Sequence, residues 1–195
     1  MPALPTLSLY CVFDADPLTT GLASGTDSTM EGGNSWAAAN GQTTDGLVGT
    51  QYHAGTRSTV LTRTTSSGTA GAFWVSGAGS VTAGRTYLAL IYVLPATVAR
   101  FVRLRITWLD IFSGTISAVT EDSADVVGVW TPVAVVGTAP ANSYRLRFDI
   151  EYLFCNVSEQ HYYDTFTCYY IGTEIGAGRL KSWSATRGAD DEFTE

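Results

Sequence analysis

The sequence predicts an all-β protein in which two antiparallel sheets pack face to face, a β-sandwich of the jelly-roll class. Two segments, residues 99–110 and 144–154, alternate between apolar and charged side chains, the period of a strand with one buried face. A third segment, residues 86–94, is a continuous apolar run too short for most helices and rich in β-forming residues. It is predicted to be a central strand, buried on both faces.

The remaining elements are predicted from shorter patterns and from the turn-forming residues between them. An N-terminal strand is predicted over residues 6–14, whereas residues 16–55 are rich in Gly, Thr, Ser and Asn and predict no regular element. Residues 122–127 are expected to form a loop. Further strands are predicted over residues 58–63, 70–75, 130–136 and 161–171.

The charged faces of the two alternating strands suggest that these strands pair. Arg103 and Arg105 lie on one strand, and Asp149 and Glu151 lie on the other. If the strands are neighbours, each cross-strand ion pair contributes about 0.2–1 kcal/mol. The alternative, which the sequence leaves open, is that these four residues are simply solvated.

Length and charge limit the classes of function. A chain of 195 residues suits one domain, and its net charge of −7 argues against nucleic acid as a partner. No apolar stretch is long enough for a membrane helix, and the N-terminus lacks the pattern of a signal peptide, so we expect neither membrane association nor signal-dependent export. Cys11, Cys155 and Cys168 have no paired metal-binding spacing and are expected to be buried free thiols.

No motif for catalysis is present, and we do not expect an enzyme. The two histidines, His53 and His161, belong to no nucleophile or metal motif. Glu121, Asp122 and Asp125 form an acidic cluster that a glycosidase would require in an active site, but they fall in a predicted loop. A solvated loop is the expected role of this cluster.

Four motifs follow one another along residues 29–173. They are residues 29–33 with Trp36 after them, residues 81–87 at the start of the central strand, residues 130–133 with the alanine-proline turn at 137–141, and residues 162–166 with Gly172 and Thr173. In this order they resemble the carbohydrate-binding jelly-roll modules of the CBM4/9-like type and their galactose-binding-domain relatives. Met30 stands where those modules usually have Phe.

The resemblance implies a domain organisation and a metal site. The jelly roll would span residues 23–175, with a strand or assembly arm at 1–22 and a tail at 176–195. In such modules an acid of the opening motif and the aspartate of the last strand are ligands of a structural calcium, and these positions match Glu31 and Asp164. An arginine or backbone partner for Asp164 is the alternative, because a buried carboxylate must be neutralised.

Sugar binding, which the resemblance also implies, requires aromatic platforms flanked by groups that pair with hydroxyls. The candidate platforms are Trp36, Trp74, Tyr92 and Tyr163, and the candidate polar groups are Arg103, Arg105, Asp149 and Glu151. Each aromatic residue has core packing as its alternative role.

A narrower likeness concerns the setting of the module. The chain is rich in Arg, has Lys181 as its single lysine, and carries a connecting motif at residues 187–193, so it resembles minor tail proteins of phages that infect actinobacteria. This implies a non-enzymatic virion protein of the tail, or a capsid or tail decoration, assembled in the host cytoplasm. Its expected partners are other virion proteins, further copies of itself in a symmetric oligomer such as a trimer, and host-surface glycan. The alternative is a carbohydrate-binding module of a secreted polysaccharide-degrading enzyme.

Overall fold

The computed structural model describes residues 21–23, 28–32, 35–39, 43–64 and 66–171. The predicted N-terminal strand, nearly all of the arm at 1–22, and the tail at 176–195 lie outside these residues. No helix within the described residues is long and apolar enough to cross a membrane.

The described residues form two five-stranded antiparallel sheets, which confirms the predicted fold class. Sheet one has the order β1-β4-β9-β6-β7, and sheet two has the order β2-β3-β10-β5-β8. The strands are β1 (Ala37–Ala38), β2 (Thr43–Val48), β3 (Ser58–Arg63), β4 (Gly68–Val75), β5 (Thr86–Pro95), β6 (Phe101–Leu109), β7 (Thr115–Ala124), β8 (Thr131–Thr138), β9 (Arg145–Cys155) and β10 (Gln160–Ile171).

The core lies between the sheets and is centred on aromatic rings. Trp36, Trp74 and Phe148 surround Phe166, with ring centroids 5.0, 5.2 and 4.8 Å from it. The predicted central strand β5 lies between β10 and β8, although its side chains alternate between buried and half-buried positions.

Strand β7 was not predicted, and the expected loop over residues 122–127 is wrong in its first part. Residues 115–124 pair with β6 as an edge strand, and almost all of their side chains are exposed. An edge strand without a buried face shows no apolar alternation, so its sequence resembles that of a loop. Glu121 and Asp122 therefore lie on a strand, while Asp125 is buried just after it.

Two bulges change which side chains face the core. Phe154, predicted on the apolar face of β9, has a φ of 62° and is 73% exposed, and Cys155 is buried instead. In β10 the register shifts between Asp164 and Thr167. A bulge adds one residue to a strand and reverses the alternation after it, which the sequence pattern did not reveal.

Candidate functional site

Three of the four predicted aromatic platforms belong to the core. Trp36, Trp74 and Tyr163 are 5%, 2% and 0% exposed, and Trp36 contacts Tyr163 with ring centroids 5.0 Å apart. Burial excludes these three rings from stacking on a sugar. Their prediction as platforms is wrong because the loops and strands around them cover their faces.

The fourth predicted platform, Tyr92, is half-buried in β5 of sheet two. The imidazole ring of His53 stacks on it, with centroids 3.6 Å apart and an interplanar angle of 14°. His53 also places Nδ1 3.1 Å from the hydroxyl of Thr165. One face of Tyr92 is therefore already covered by the chain itself.

The four predicted polar residues share the outer face of sheet one. Strands β6 and β9 are neighbours, with Arg103 opposite Glu151 and Arg105 opposite Asp149, as the predicted strand pairing required. The ion pairs follow another pattern, because Arg105 reaches diagonally to Glu151 at 3.1 Å. Arg103 turns to Asp122 of β7 instead, with two hydrogen bonds of 2.8 Å.

Asp149 pairs with a residue that the sequence analysis did not single out, Arg147 on the same strand. The guanidinium of Arg147 also lies 4.1 Å from the ring centroid of Phe73 on the neighbouring strand β4. Arg147 belongs to the same charged face of residues 144–154 as Asp149, so the alternation contained a signal for it. For Phe73 the signal is weaker. Ala70, Ala72 and Trp74 are alternate residues of β4 and share its buried face, so Phe73 lies on the other face.

These residues line an open cleft of about 680 Å³ on the outer face of sheet one, here called the outer cleft. Its floor includes Phe73 and Val75 of β4, Arg147 and Asp149 of β9, and Arg105 of β6. At one end it is bounded by the turn between β6 and β7, where Asp110 Oδ1 accepts the backbone N–H groups of Phe112 and Gly114 at 2.8 and 2.7 Å. The outer cleft thus combines one aromatic ring with charged donors and acceptors.

The predicted calcium ligands hold one loop of the chain from two sides. Glu31 Oε1 accepts the N–H groups of Thr56 and Arg57 at 2.6 and 3.1 Å, and Oε2 accepts the Thr56 hydroxyl at 2.5 Å. These bonds, that of the Thr56 hydroxyl above all, lower the pKa of Glu31. A Cβ on Gly55, whose φ is +74°, would lie 1.9 Å from Glu31 Oε1, so the contact requires glycine there.

Asp164 is fully buried and is held in the same way. Its Oδ2 accepts the N–H groups of His53 and Ala54 at 2.7 and 3.1 Å, and its Oδ1 accepts that of Thr165 at 2.6 Å. Burial raises the pKa of Asp164, and the three N–H groups oppose that rise. Calcium needs six to eight oxygen ligands, whereas both carboxylates here face N–H or O–H donors. The donor set does not fit a calcium cage without movement of the loop.

A second group of polar residues, buried or half-buried, lies at the turn that connects β9 of sheet one to β10 of sheet two, and we call it the turn cluster. It consists of Arg100, Asp125, Cys155, Glu159 and His161. Arg100 holds Glu159 with two hydrogen bonds of 2.7 and 2.6 Å, which lower the pKa of Glu159 to about 2. The expectation that Asp125 is solvated is wrong, since Asp125 is 3% exposed. Cys155 is a buried free thiol, as predicted, and so is Cys168 elsewhere in the core.

His161 lies at the centre of the turn cluster with no exposed surface. Its Nε2 is 2.8 Å from Glu159 Oε1 and 3.6 Å from Cys155 Sγ. Burial works against a charged imidazole, but Asp125, Cys155 and Glu159 outweigh it and raise the pKa of His161 to about 9. No motif predicted this arrangement, because the five residues are brought together by a turn and two strand ends.

No protein-family model matches the chain, and no curated protein matches it. Solved structures with a similar fold do match the chain. The C-terminal family 22 carbohydrate-binding module of a Clostridium thermocellum xylanase is 16% identical, with a TM-score of 0.61 over 75% of this chain and 92% of that one. The fold is that of a carbohydrate-binding jelly-roll module.

Two further structures show the range of proteins in which similar domains occur. A Clostridium thermocellum endo-1,4-β-D-xylanase, solved with xylohexaose, is 20% identical with a TM-score of 0.58, and the match covers 71% of this chain but only 26% of that one. Tailspike protein 4 of bacteriophage CBA120, in its enzymatically active domain, is 14% identical with a TM-score of 0.59. That match covers 77% of this chain and 22% of the tailspike.

Proposed function

We propose that this protein is a non-enzymatic glycan-binding component and that the outer cleft is where it holds the sugar chain. The observation that carries the proposal is the combination in this cleft of Phe73 with the guanidinium groups of Arg105 and Arg147. Sugar sites join an apolar surface to a few polar groups that converge on hydroxyls. Among the described residues, the outer cleft meets this requirement with two of the four predicted polar residues, Arg105 and Asp149.

The polar groups of the outer cleft are oriented before a ligand arrives. Glu151 holds the guanidinium of Arg105, and Asp149, which is 2% exposed, holds that of Arg147. The two guanidinium groups are the donors that we assign to the sugar hydroxyls, and the carboxylates position them. Orientation in advance reduces the entropy that binding costs.

The aromatic surface of the outer cleft is supplied by Phe73 and its partner. The Arg147 guanidinium lies over the Phe73 ring, and the two planar groups together form a flat ledge beside Asp149. The four strands β4, β9, β6 and β7 span about 14 Å at the usual strand spacing. This width suits a short stretch of a polysaccharide.

We further propose that the glycan-binding domain works in a virion, as a minor tail or decoration component that also contacts other virion proteins and copies of itself. Two observations support this setting: the motifs and arginine-rich composition that resemble phage tail proteins, and the fold similarity to a phage tailspike. The ligand would then be a glycan of the host surface, and the protein would be assembled in the host cytoplasm.

A carbohydrate-binding module of a polysaccharide-degrading enzyme is the second candidate. The fold similarity to xylan-binding domains favours it. The two candidates share the outer cleft and differ in what the domain is attached to. Detection of the chain in purified phage particles favours the first, and its detection in the culture fluid joined to a hydrolase favours the second.

Affinity electrophoresis tests the shared part of the proposal. The wild-type protein is run through gels that contain soluble xylans or host cell-wall polysaccharides, together with the variants Phe73→Ala and Arg105→Met. We expect retardation of the wild type that both variants lose. Tyr92→Ala, on the other sheet, is the matched control and should be retarded like the wild type. A search for released sugar in the same samples tests whether the protein hydrolyses what it binds, and we expect no turnover.

A further inference from the structure

The ends of β9 and β10 bring three side chains together with the chemistry of a transition-metal site. Cys155 Sγ, Glu159 Oε1 and His161 Nε2 are the three candidate ligand atoms, and all pairs of such atoms in this group lie within 4.8 Å. We infer that these three residues bind a divalent transition metal of the zinc type, a function separate from glycan binding in the outer cleft.

The spacing of the ligand atoms supports this inference. Sγ and Nε2 are 3.6 Å apart, and Nε2 and Oε1 are 2.8 Å apart. Two tetrahedral ligands at zinc bond lengths of about 2.3 Å for sulfur and about 2.0 Å for nitrogen lie about 3.5 Å from each other. The sulfur and nitrogen therefore already have the separation of two zinc ligands, and the carboxylate oxygen needs to move back by about 0.5 Å.

The local backbone places Cys155 for this role. Regular alternation along β9 would turn Phe154 inward and Cys155 outward, but Phe154 has a φ of 62° and the bulge reverses the two. The turn that follows is closed by Glu159, whose Oε2 accepts the Asn156 N–H at 2.9 Å. The cysteine and the histidine thus face each other across the short turn that connects the two sheets.

A second, independent observation is a pair of buried polar atoms that make no hydrogen bond. His161 Nδ1 and Asp125 Oδ2 are among the buried side-chain atoms without a partner, and they lie 3.7 Å apart. A histidine that binds metal through Nε2 carries its proton on Nδ1, and that N–H usually points to a carboxylate. A metal on Nε2 would fix the proton on Nδ1, where it faces Asp125 Oδ2, with Asp125 as the orienting residue.

The donor atoms of the turn cluster also decide which metals would suit it. Thiolate and imidazole favour zinc-type metals over calcium and magnesium.

The turn cluster borders a cleft that is open to solvent. This cleft of about 340 Å³ is lined by Arg100, Asp125, Leu153 and Phe154. The three protein ligands leave one tetrahedral position, which a water molecule from this cleft would occupy.

The test uses the metal alone and the full chain. The protein is dialysed against zinc and then against metal-free buffer, and the retained zinc is measured for wild type, Cys155→Ala and Cys168→Ala. Cys168 is the matched control because it is an equally buried thiol outside the turn cluster. We expect roughly one zinc per chain in the wild type and in Cys168→Ala, with affinity on the order of 100-fold lower in Cys155→Ala.

Cobalt provides a readout that a purely structural cysteine would not change. Co²⁺ bound by a thiolate gives a sulfur-to-cobalt charge-transfer band, which we expect in the wild type and in Cys168→Ala but not in Cys155→Ala. Asp125→Asn should keep the band and weaken binding by about 10-fold to 100-fold. Wild-type protein that retains no zinc, or a band that survives in Cys155→Ala, would overturn the inference. The wild-type measurement decides the matter even if Cys155→Ala does not fold.

Discussion

The inner and outer faces of sheet one are built from alternate residues of the same strands, yet their surroundings differ. On β4, Trp74 is packed against Phe166 in the core, while its neighbour Phe73 lies in the outer cleft beneath Arg147. On β9, Phe148 is fully buried and Asp149 faces the outer cleft.

This difference separates the two properties of the sheet. An inward side chain is surrounded by other side chains, so its removal costs packing energy and leaves a cavity. Phe73 on the outer face is only half-buried, so its removal changes what the surface binds more than whether the chain folds. Neighbouring residues on one strand therefore provide matched tests of stability and of binding.

The largest effect is expected at Trp74. Trp74→Ala should lower the free energy of unfolding by about 3–5 kcal/mol, since a large buried ring is lost. Phe73→Ala, one residue away, should cost about 1 kcal/mol. Urea unfolding followed by tryptophan fluorescence measures both, and equal losses in the two variants would contradict the assignment of faces.

A smaller effect is expected from the outer carboxylates and arginines. Glu151→Gln and Arg147→Met should each weaken glycan binding about 10-fold or more, because the first loosens Arg105 and the second removes a guanidinium from the outer cleft. Titration calorimetry with a retarding polysaccharide measures the affinity. Thermal unfolding is the control, and a loss of binding that tracks a loss of folding would count against direct contact.

The acids of the two sheets should respond to pH in opposite directions. Burial raises the pKa of Asp164 in the folded state, so its favourable contribution is present at low pH and is lost as pH rises through the folded value. The hydrogen bonds from Arg103 lower the pKa of Asp122, so its contribution is present at neutral pH and is lost as pH falls.

Unfolding in urea between about pH 3 and pH 7 measures this contrast. Relative to Asp164→Asn, the wild type should lose stability as pH rises. Relative to Asp122→Asn, the wild type should gain stability over the same interval, by a smaller amount that added salt reduces. The same sign for both acids would show that one of the two environments is misassigned.

The smallest effect is expected from calcium. Glu31 and Asp164 are occupied by the N–H groups of residues 53–57, so millimolar calcium added to the metal-free protein should not change the midpoint of thermal unfolding. A rise of several degrees with calcium would instead restore the ligand roles that the family resemblance implied for these two residues.

The pattern of side chains was sufficient to predict the sheets but only part of the site. Strict alternation predicted that β6 and β9 are strands and that Arg105 and Glu151 share an outer face, because one buried face dictates period two. It could not predict β7, which has no buried face, or the bulge at Phe154, which reverses the alternation without a sequence signal.

The aromatic residues show the same limit. A strand pattern assigns a ring to one face or the other but not to core or surface. Trp74 of sheet one and Tyr163 of sheet two each lie on the face that the opposite sheet covers. The position of Phe73 in the outer cleft follows from the pairing of β4 with β9, which places its ring beside Arg147, and the sequence did not predict that pairing. The turn cluster is formed by residues at the turn between β9 and β10 together with Arg100 and Asp125. Its members are distant in sequence and share no motif.

Nuclear magnetic resonance mapping of a sugar titration tests the central proposal most directly. Xylohexaose, or an oligosaccharide from whichever polysaccharide retards the protein, is added to labelled protein and the backbone amide shifts are followed. We expect the changes to concentrate on β4, β9 and β6 around Phe73, Arg105 and Asp149. Changes centred on Tyr92 and β5 of sheet two, or none with any retarding glycan, would contradict a sugar site in the outer cleft.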